Sequence, residues 1–245
     1  MSVEVETPVP LPTVQLIESD GIPLETHWHV LQIPLLLELV ASHLEGRDDY
    51  YAGGNMFIYF SEEQARNRDY RGPDFFFVDG ANREPMRPYW AVWLEGGRYP
   101  DFIVELLSPT TAVEDRTTKK TLYERVFRTR EYACYDPETE ELEGWRIDAR
   151  GRYRAIKTNA KGWLWIEELG LWLGAWRGKY RGYTRVWLRF YDAQGRLVPT
   201  GEEAEARRAK KEARRAEAAE QEVARLKEQI RGLKQAKKAN GDTNP

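Results

Sequence analysis

The hydrophobic pattern changes character several times along the chain. Over residues 26–44 the apolar positions Val30, Ile33, Leu36, Leu37 and Val40 recur at helical spacing, which predicts a helix. Pro34 within that run demands a first-turn position or a kink, because proline lacks an amide hydrogen. Residues 50–60 carry an early Gly53-Gly54 pair, which suggests a bend before a short apolar run. Residues 74–78 and 102–107 are continuous apolar runs bounded by Pro, Gly and Asp, the pattern of strands covered on both faces. A short aromatic strand is expected at 89–94. Residues 110–128 predict a second helix, capped by Ser108 or Thr111, with Val113, Leu122, Val126 and Phe127 as its apolar stripe. A buried strand at 132–135 follows, then a hairpin from 142–147 and 153–156. Five tryptophans between Trp163 and Trp187 mark a region of antiparallel strands and turns.

Beyond Pro199 the pattern differs in kind. The segment GEEAEARRAKKEARRAEAAEQEVARLKEQIRGLKQAKK has no aromatic residue. In a heptad frame Val223, Leu226, Ile230 and Leu233 take the a, d, a and d positions, with Ala209, Ala216 and Ala219 extending the seam. Both a solvated single helix and a self-associating coiled coil suit this pattern. The expected organisation is an irregular lead-in at 1–25, one domain at 26–200, a charged helix at 201–239 and a disordered end at 240–245. The strand–helix–strand order over 101–136 implies a parallel pair, so the fold class is mixed α/β with a buried central sheet.

Composition narrows the function classes. The 245 residues are 41% hydrophobic, which excludes wholesale disorder. One cysteine, Cys134, excludes an internal disulfide and fits a reducing cytoplasm. No apolar stretch approaches the ~20 residues of a membrane helix, and the acidic, proline-rich MSVEVETPVP start is unlike a secretory signal. The net charge of −3 hides a split: from Gly201 onward 12 basic and 9 acidic residues give +3, leaving 25 basic and 31 acidic, or −6, in residues 1–200. Nothing in that balance suggests a general polyanion binder.

Candidate chemistry starts from absences. There is no G-x-x-x-x-G-K-[ST] phosphate loop and no G-x-S-x-G elbow. His27, His29 and His43 have no ligand partner at metal spacing. Two acids, however, sit where acids are costly. Asp74 opens DFFFV and Glu105 interrupts FIVELL, and a carboxylate in such a run needs a cation, a metal or donors. If their strands are neighbours, both can reach one hard divalent cation. Asp101 lies on the same strand face as Glu105 but about 13 Å away in an extended strand, too far to share a small ion. Asp115, Lys119 and Tyr123 follow at i, i+4 and i+8 on the next helix, a spacing that also suits a surface salt bridge. The segment RGKYRGYTRVWLRFY interleaves cations with aromatics, and Arg185, Trp187, Arg189 and Tyr191 would share one face. That pattern suits either DNA contact or arginine packed on tryptophan.

Gly72-Pro73-Asp74, the run Pro100 to Thr110 (PDFIVELLSPT), Asp115-xxx-Lys119-xxx-Tyr123, Glu131-Tyr132 and Tyr135-Asp136-Pro137 form an ordered series. Together they resemble the Uma family of restriction-endonuclease-like proteins, a branch of the PD-(D/E)XK nuclease superfamily, over residues 25–200. The resemblance implies a restriction-endonuclease-like core, with a central mixed sheet flanked by helices. It implies Asp74 and Glu105 as ligands of Mg²⁺ (or Mn²⁺) and Lys119 as the catalytic lysine, acting on DNA. The superfamily pattern expects lysine two residues after the second acid, where this chain has Leu107; Lys119, rather than Lys120, takes its place. Asp49 matches a further acidic position of the family. Three readings remain: a metal-dependent DNA endonuclease; a non-catalytic scaffold on the same fold acting through its coil, with homo-oligomerisation through the C-terminal helix; and a phosphodiesterase acting on RNA or another nucleotide substrate. None involves a membrane partner.

Overall fold

A computed structural model describes residues 26–67 and 72–241, with side chains described to residue 232. The lead-in expected at 1–25, the Leu233 side chain and residues 242–245 lie outside the described residues. The chain divides after Val198 into two units.

The first unit is mixed α/β, as its strand and helix patterns imply. Helix α1 (His27–His43) is capped by Thr26, whose hydroxyl accepts the His29 amide. Strand β1 (Tyr50–Gly53) ends on the first glycine of the pair, the chain bends at Asn55 just beyond it, and strand β2 (Ile58–Tyr59) and a short helix α2 (Glu62–Arg66) follow. Strands β3 (Phe75–Asp79), β4 (Trp90–Ala91) and β5 (Phe102–Leu106) come next. A helix over residues 112–127 leads to β6 (Glu131–Tyr135), β7 (Leu142–Ile147) and β8 (Tyr153–Ala155). The unit closes with β9 (Leu164–Ile166), β10 (Leu171–Tyr180) and β11 (Tyr183–Tyr191).

Six strands form one sheet in the order β1-β3-β5-β6-β7-β8. Within it β5 and β6 are parallel, joined through the 112–127 helix, and the other pairs are antiparallel. A second sheet has the order β11-β10-β9, and β2 pairs with β4. The central strands are buried along their whole length because each sheet face is covered. One face, with Phe75, Phe77, Phe102, Val104 and Leu106, packs under α1 and the β9–β11 sheet. The other, with Phe76, Val78, Ile103 and Leu107, packs under Tyr123 and Phe127 of the 112–127 helix. This two-sided burial produces the unbroken apolar runs in the sequence.

The buried stripe of α1 differs from the one its apolar spacing predicts. Val30 is 42% exposed, while the polar His29 and Gln32 are buried. Gln32 substitutes for a strand neighbour: its amide donates to the Leu188 carbonyl at 2.8 Å and accepts the Leu188 amide at 2.9 Å. The side chain therefore satisfies a strand edge beneath the helix, a gain that hydropathy does not register.

The second unit holds one helix, Gly201–Gly241, whose start is fixed by a reciprocal cap between Thr200 and Glu203. It runs two residues into the end expected to be disordered.

Gln32→Leu should leave both backbone groups of Leu188 buried and unpaired. A cost of about 2 kcal/mol, and a melting temperature lower by roughly 4–8 °C, is expected by calorimetry. Val30→Ala, on the exposed side of the same helix, should move it by less than about 2 °C.

Candidate active site

The β3–β5 register determines where the two unusual acids meet. Phe75 pairs with Val104, Phe76 with Ile103 and Phe77 with Phe102, so the next position along sets Asp74 opposite Glu105. Asp74 lies in phase with Phe76, and Glu105 with Ile103, on the sheet face that the 112–127 helix covers. The two residues are cross-connected: the Leu106 amide donates to Asp74 Oδ2 at 2.7 Å, and the Asp74 amide approaches Glu105 Oε2 at 3.4 Å. Gly54 permits this arrangement, because a β-carbon there would lie 2.5 Å from the Asp74 carbonyl oxygen.

The helix returning over β5 brings the remaining groups. Lys119 Nζ lies 2.8 Å from Asp115 Oδ1 and 3.2 Å from Glu105 Oε1. Tyr123 donates its hydroxyl to Glu105 Oε1 at 2.8 Å. Residues four apart on an α-helix drift by about 40° each time. Here Asp115–Lys119 and Tyr123–Phe127 are π-helical turns, whose wider winding offsets that drift and keeps Asp115, Lys119 and Tyr123 turned toward the sheet. The helix ends at Arg128, whose φ of 58° is left-handed. Lys120, the neighbour, points elsewhere and lies 3.7 Å from the Trp145 ring centre.

Burial dominates the electrostatics. The Glu105 side chain is 1% exposed, and burial pushes its pKa up to about 8, against the lowering effect of Lys119 and with the repulsion of Asp74. Burial also raises Asp74, partly offset by the Leu106 amide and Lys119. For Lys119, burial pulls down, but Glu105, Asp115 and Asp74 more than reverse it, holding the ammonium charged well above its ordinary range. Tyr123 is raised by burial and then by Glu105, so it stays a donor. Lys119 is therefore a fixed positive charge and hydrogen-bond donor, not a proton acceptor at neutral pH.

Three buried or half-buried carboxyl groups thus surround one ammonium. If all three ionise, two negative charges remain, which a divalent cation would balance. Among the described residues no group of three or more His, Cys, Asp or Glu could hold a metal alone. Two carboxylates fit a hard ion of the Mg²⁺ type, which keeps several waters and completes its shell with substrate phosphate.

The other sequence candidates lie elsewhere. Asp49 is exposed and paired with Arg47 at 2.7 Å, at the opposite end of β1 from Gly53. Asp101 accepts the Asp79 amide and faces Arg130. His43 contacts the Leu169 carbonyl. Arg189 is buried, with its guanidinium 4.8 Å from the Trp176 ring centre and one nitrogen donating to the Val198 carbonyl. With Trp187 and Tyr191 also buried, the inner half of the basic–aromatic strand is structural. His29, by contrast, reaches the site: Nε2 lies 3.1 Å from the Leu106 carbonyl oxygen and Nδ1 lies 2.7 Å from the Thr26 hydroxyl. No spacing rule along the chain reveals that contact, which spans 77 residues.

The family model described as Uma2, "Putative restriction endonuclease", matches residues 13–178. A crystal structure titled as a putative nuclease belonging to DUF820, from Anabaena variabilis, is similar over 60% of this chain and 76% of that chain, at 14% identity and a TM-score of 0.45. No curated protein matches the chain.

The raised Glu105 carboxyl has a consequence for metal-free stability. Between its ordinary value of 4.5 and about 8 the folded state holds a proton that the unfolded chain has released, so stability falls as pH rises through that window. Asp74 acts in the same direction. Urea unfolding of metal-free protein should give a lower midpoint at pH 8 than at pH 5.5. Glu105→Gln should flatten the dependence, and an unchanged slope would assign it to other groups.

Proposed function

The chain belongs to the Uma2 family, and from that premise we propose a metal-dependent endonuclease that hydrolyses DNA phosphodiester bonds at Asp74, Glu105 and Lys119. The observation that carries this reading is the meeting of two opposed strand carboxylates with a buried lysine 3.2 Å from one of them. Glu105 receives from the following helix the ammonium that the superfamily pattern would supply at position 107, where Leu107 is buried in the apolar core. This supports Lys119 as the displaced catalytic lysine.

Asp74 and Glu105 are the residues that would hold Mg²⁺ or Mn²⁺. When bound, that ion supplies Lewis-acid polarisation of the phosphate and a bound water of lowered pKa. Lys119, held charged, would orient the attacking water or stabilise negative charge developing on the phosphoryl oxygens. Asp115 fixes the lysine from its other side, and Tyr123 fixes the rotamer of Glu105 through its hydroxyl. Both restrict the geometry before substrate arrives, which is where most of the catalytic benefit of such groups originates.

The C-terminal helix supports a second role. Val223, Leu226 and Ile230 remain 47–52% exposed at a/d spacing, which favours self-association through a coiled coil. The non-catalytic scaffold reading rests on the same seam. The single cysteine is a buried free thiol, and a cytoplasmic location is proposed with it. No helix among the described residues is long and apolar enough to cross a membrane.

Asp74→Ala and Glu105→Ala should each abolish Mg²⁺-dependent cleavage of DNA while far-UV circular dichroism stays unchanged. Lys119→Ala should reduce cleavage by about 10²–10³-fold. Wild-type protein that cleaves no DNA with either Mg²⁺ or Mn²⁺ would sink the catalytic reading.

For the helix, Leu226→Glu with Ile230→Glu in the full chain should lower the mass seen by light scattering to that of a monomer. A wild-type chain that is already monomeric would remove the oligomer.

A further inference from the structure

An acidic first unit must still hold a polyanion if it cuts DNA, and one element is chemically suited to that task. Strands β10 and β11 pair over nine positions and turn at Arg181-Gly182, both with positive φ, the backbone of a two-residue hairpin. Strand β9 pairs only with Leu171–Leu173 at the base, so the outer half is a two-stranded ribbon. Between Glu168 and Asp192 the sequence contains no acidic residue but five cations. Arg189, at the base, is buried and bound. The outer four, Arg177, Lys179, Arg181 and Arg185, are exposed, together with Tyr183 and Thr184. Arg177 is paired with Glu140. Lys179 and Arg185 have no acidic partner among the described residues.

The ribbon belongs to the layer on the sheet face opposite the carboxylates, but it lies at the same end of the central strands: Trp28 of α1 packs on both Trp187 of β11 and Tyr135, the partner of Leu106. The Tyr183 ring meets the His27 ring edge-on, with centroids 5.2 Å apart. Two residues later on the same helical turn, His29 contacts the carbonyl of Leu106, the residue after Glu105. The first turn of α1 therefore touches both the ribbon end and the backbone of the residue that follows Glu105. Lys179, Arg181 and Arg185 fall beyond residue 178, where the family match ends.

We propose that the exposed end of the β10–β11 hairpin, through Lys179, Arg181 and Arg185, grips the phosphate backbone of duplex DNA engaged at the carboxylate end of the sheet. This rests on the nuclease reading of that site. A two-stranded ribbon matches the width of a major groove, and cations on it contact phosphates whatever the sequence. Concentrating positive charge at one edge lets a chain of net negative charge attract DNA locally while repelling it elsewhere.

The test is binding of a labelled duplex of about 20 base pairs by the full chain in EDTA, followed by fluorescence anisotropy against salt concentration. Binding is then read with no hydrolysis. Each phosphate contact contributes about 0.9 to the slope of log Kobs against log salt, so the triple variant Lys179→Gln/Arg181→Gln/Arg185→Gln should lose about 2.7 from that slope. Arg185→Gln alone should lose about 0.9, a check that does not depend on the triple variant folding well. Arg207→Gln/Lys210→Gln/Lys211→Gln, on the C-terminal helix, should keep the wild-type slope. A hairpin variant with the wild-type slope, or wild-type protein that binds no duplex at low salt, overturns the proposal. Cleavage of the same duplex with Mg²⁺ separates the two readings. Wild-type cleavage with an unchanged hairpin slope removes the grip and leaves the nuclease, whereas salt-dependent binding without cleavage removes the nuclease and leaves the grip.

Discussion

The structure turns on the burial of carboxylates in the middle of its most apolar strands. Ionised acids in such surroundings are unfavourable unless other groups compensate for their lost hydration. Compensation around Glu105 comes from the Lys119 ammonium and the Tyr123 hydroxyl, and around Asp74 from the Leu106 amide. It is incomplete, since burial still raises both carboxyls above their ordinary range. A nearby acid shows what completion looks like. Glu131, equally buried on β6, accepts hydrogen bonds from Arg146 and from the Glu167 and Glu168 amides, and so holds β7 and the β9 region in place. One buried acid is consumed by architecture, whereas the Asp74–Glu105 pair keeps carboxyl groups that their neighbours do not fully compensate.

Topology creates that pair. The antiparallel β3–β5 register places Asp74 and Glu105 side by side, and the parallel β5–β6 connection requires a helix that crosses back over the sheet. The crossing carries Asp115, Lys119 and Tyr123 onto Glu105. π-helical turns are rare because their hydrogen-bond geometry is poorer than that of the α-helix. Two in one sixteen-residue helix fit a segment whose side chains answer to the sheet beneath rather than to their own backbone.

Much of the fold could be read along the chain. The apolar runs gave the central strands, the glycine pair the first bend, and the strand–helix–strand order the parallel pair. Helix α2 and the polar stripe of α1 were not legible. A five-residue helix has too little periodicity to register, and His29 and Gln32 are buried through contacts with residues 77 and 156 positions away. The basic–aromatic segment, read as one surface, divides into a buried base and an exposed end, because only the base is overlaid by neighbouring structure.

By itself the sequence determined that two acids would be buried, that a lysine and a tyrosine would follow at helical spacing, and that a charged helix would end the chain. Those properties are local: hydropathy and periodicity act over a few residues. Only the tertiary structure decided that the acids face each other, that the lysine neutralises Glu105 rather than a surface partner, and that His29 joins them while Asp49 does not. Strand register and helix crossing are collective outcomes of packing both sheet faces at once, and no short window of sequence encodes them.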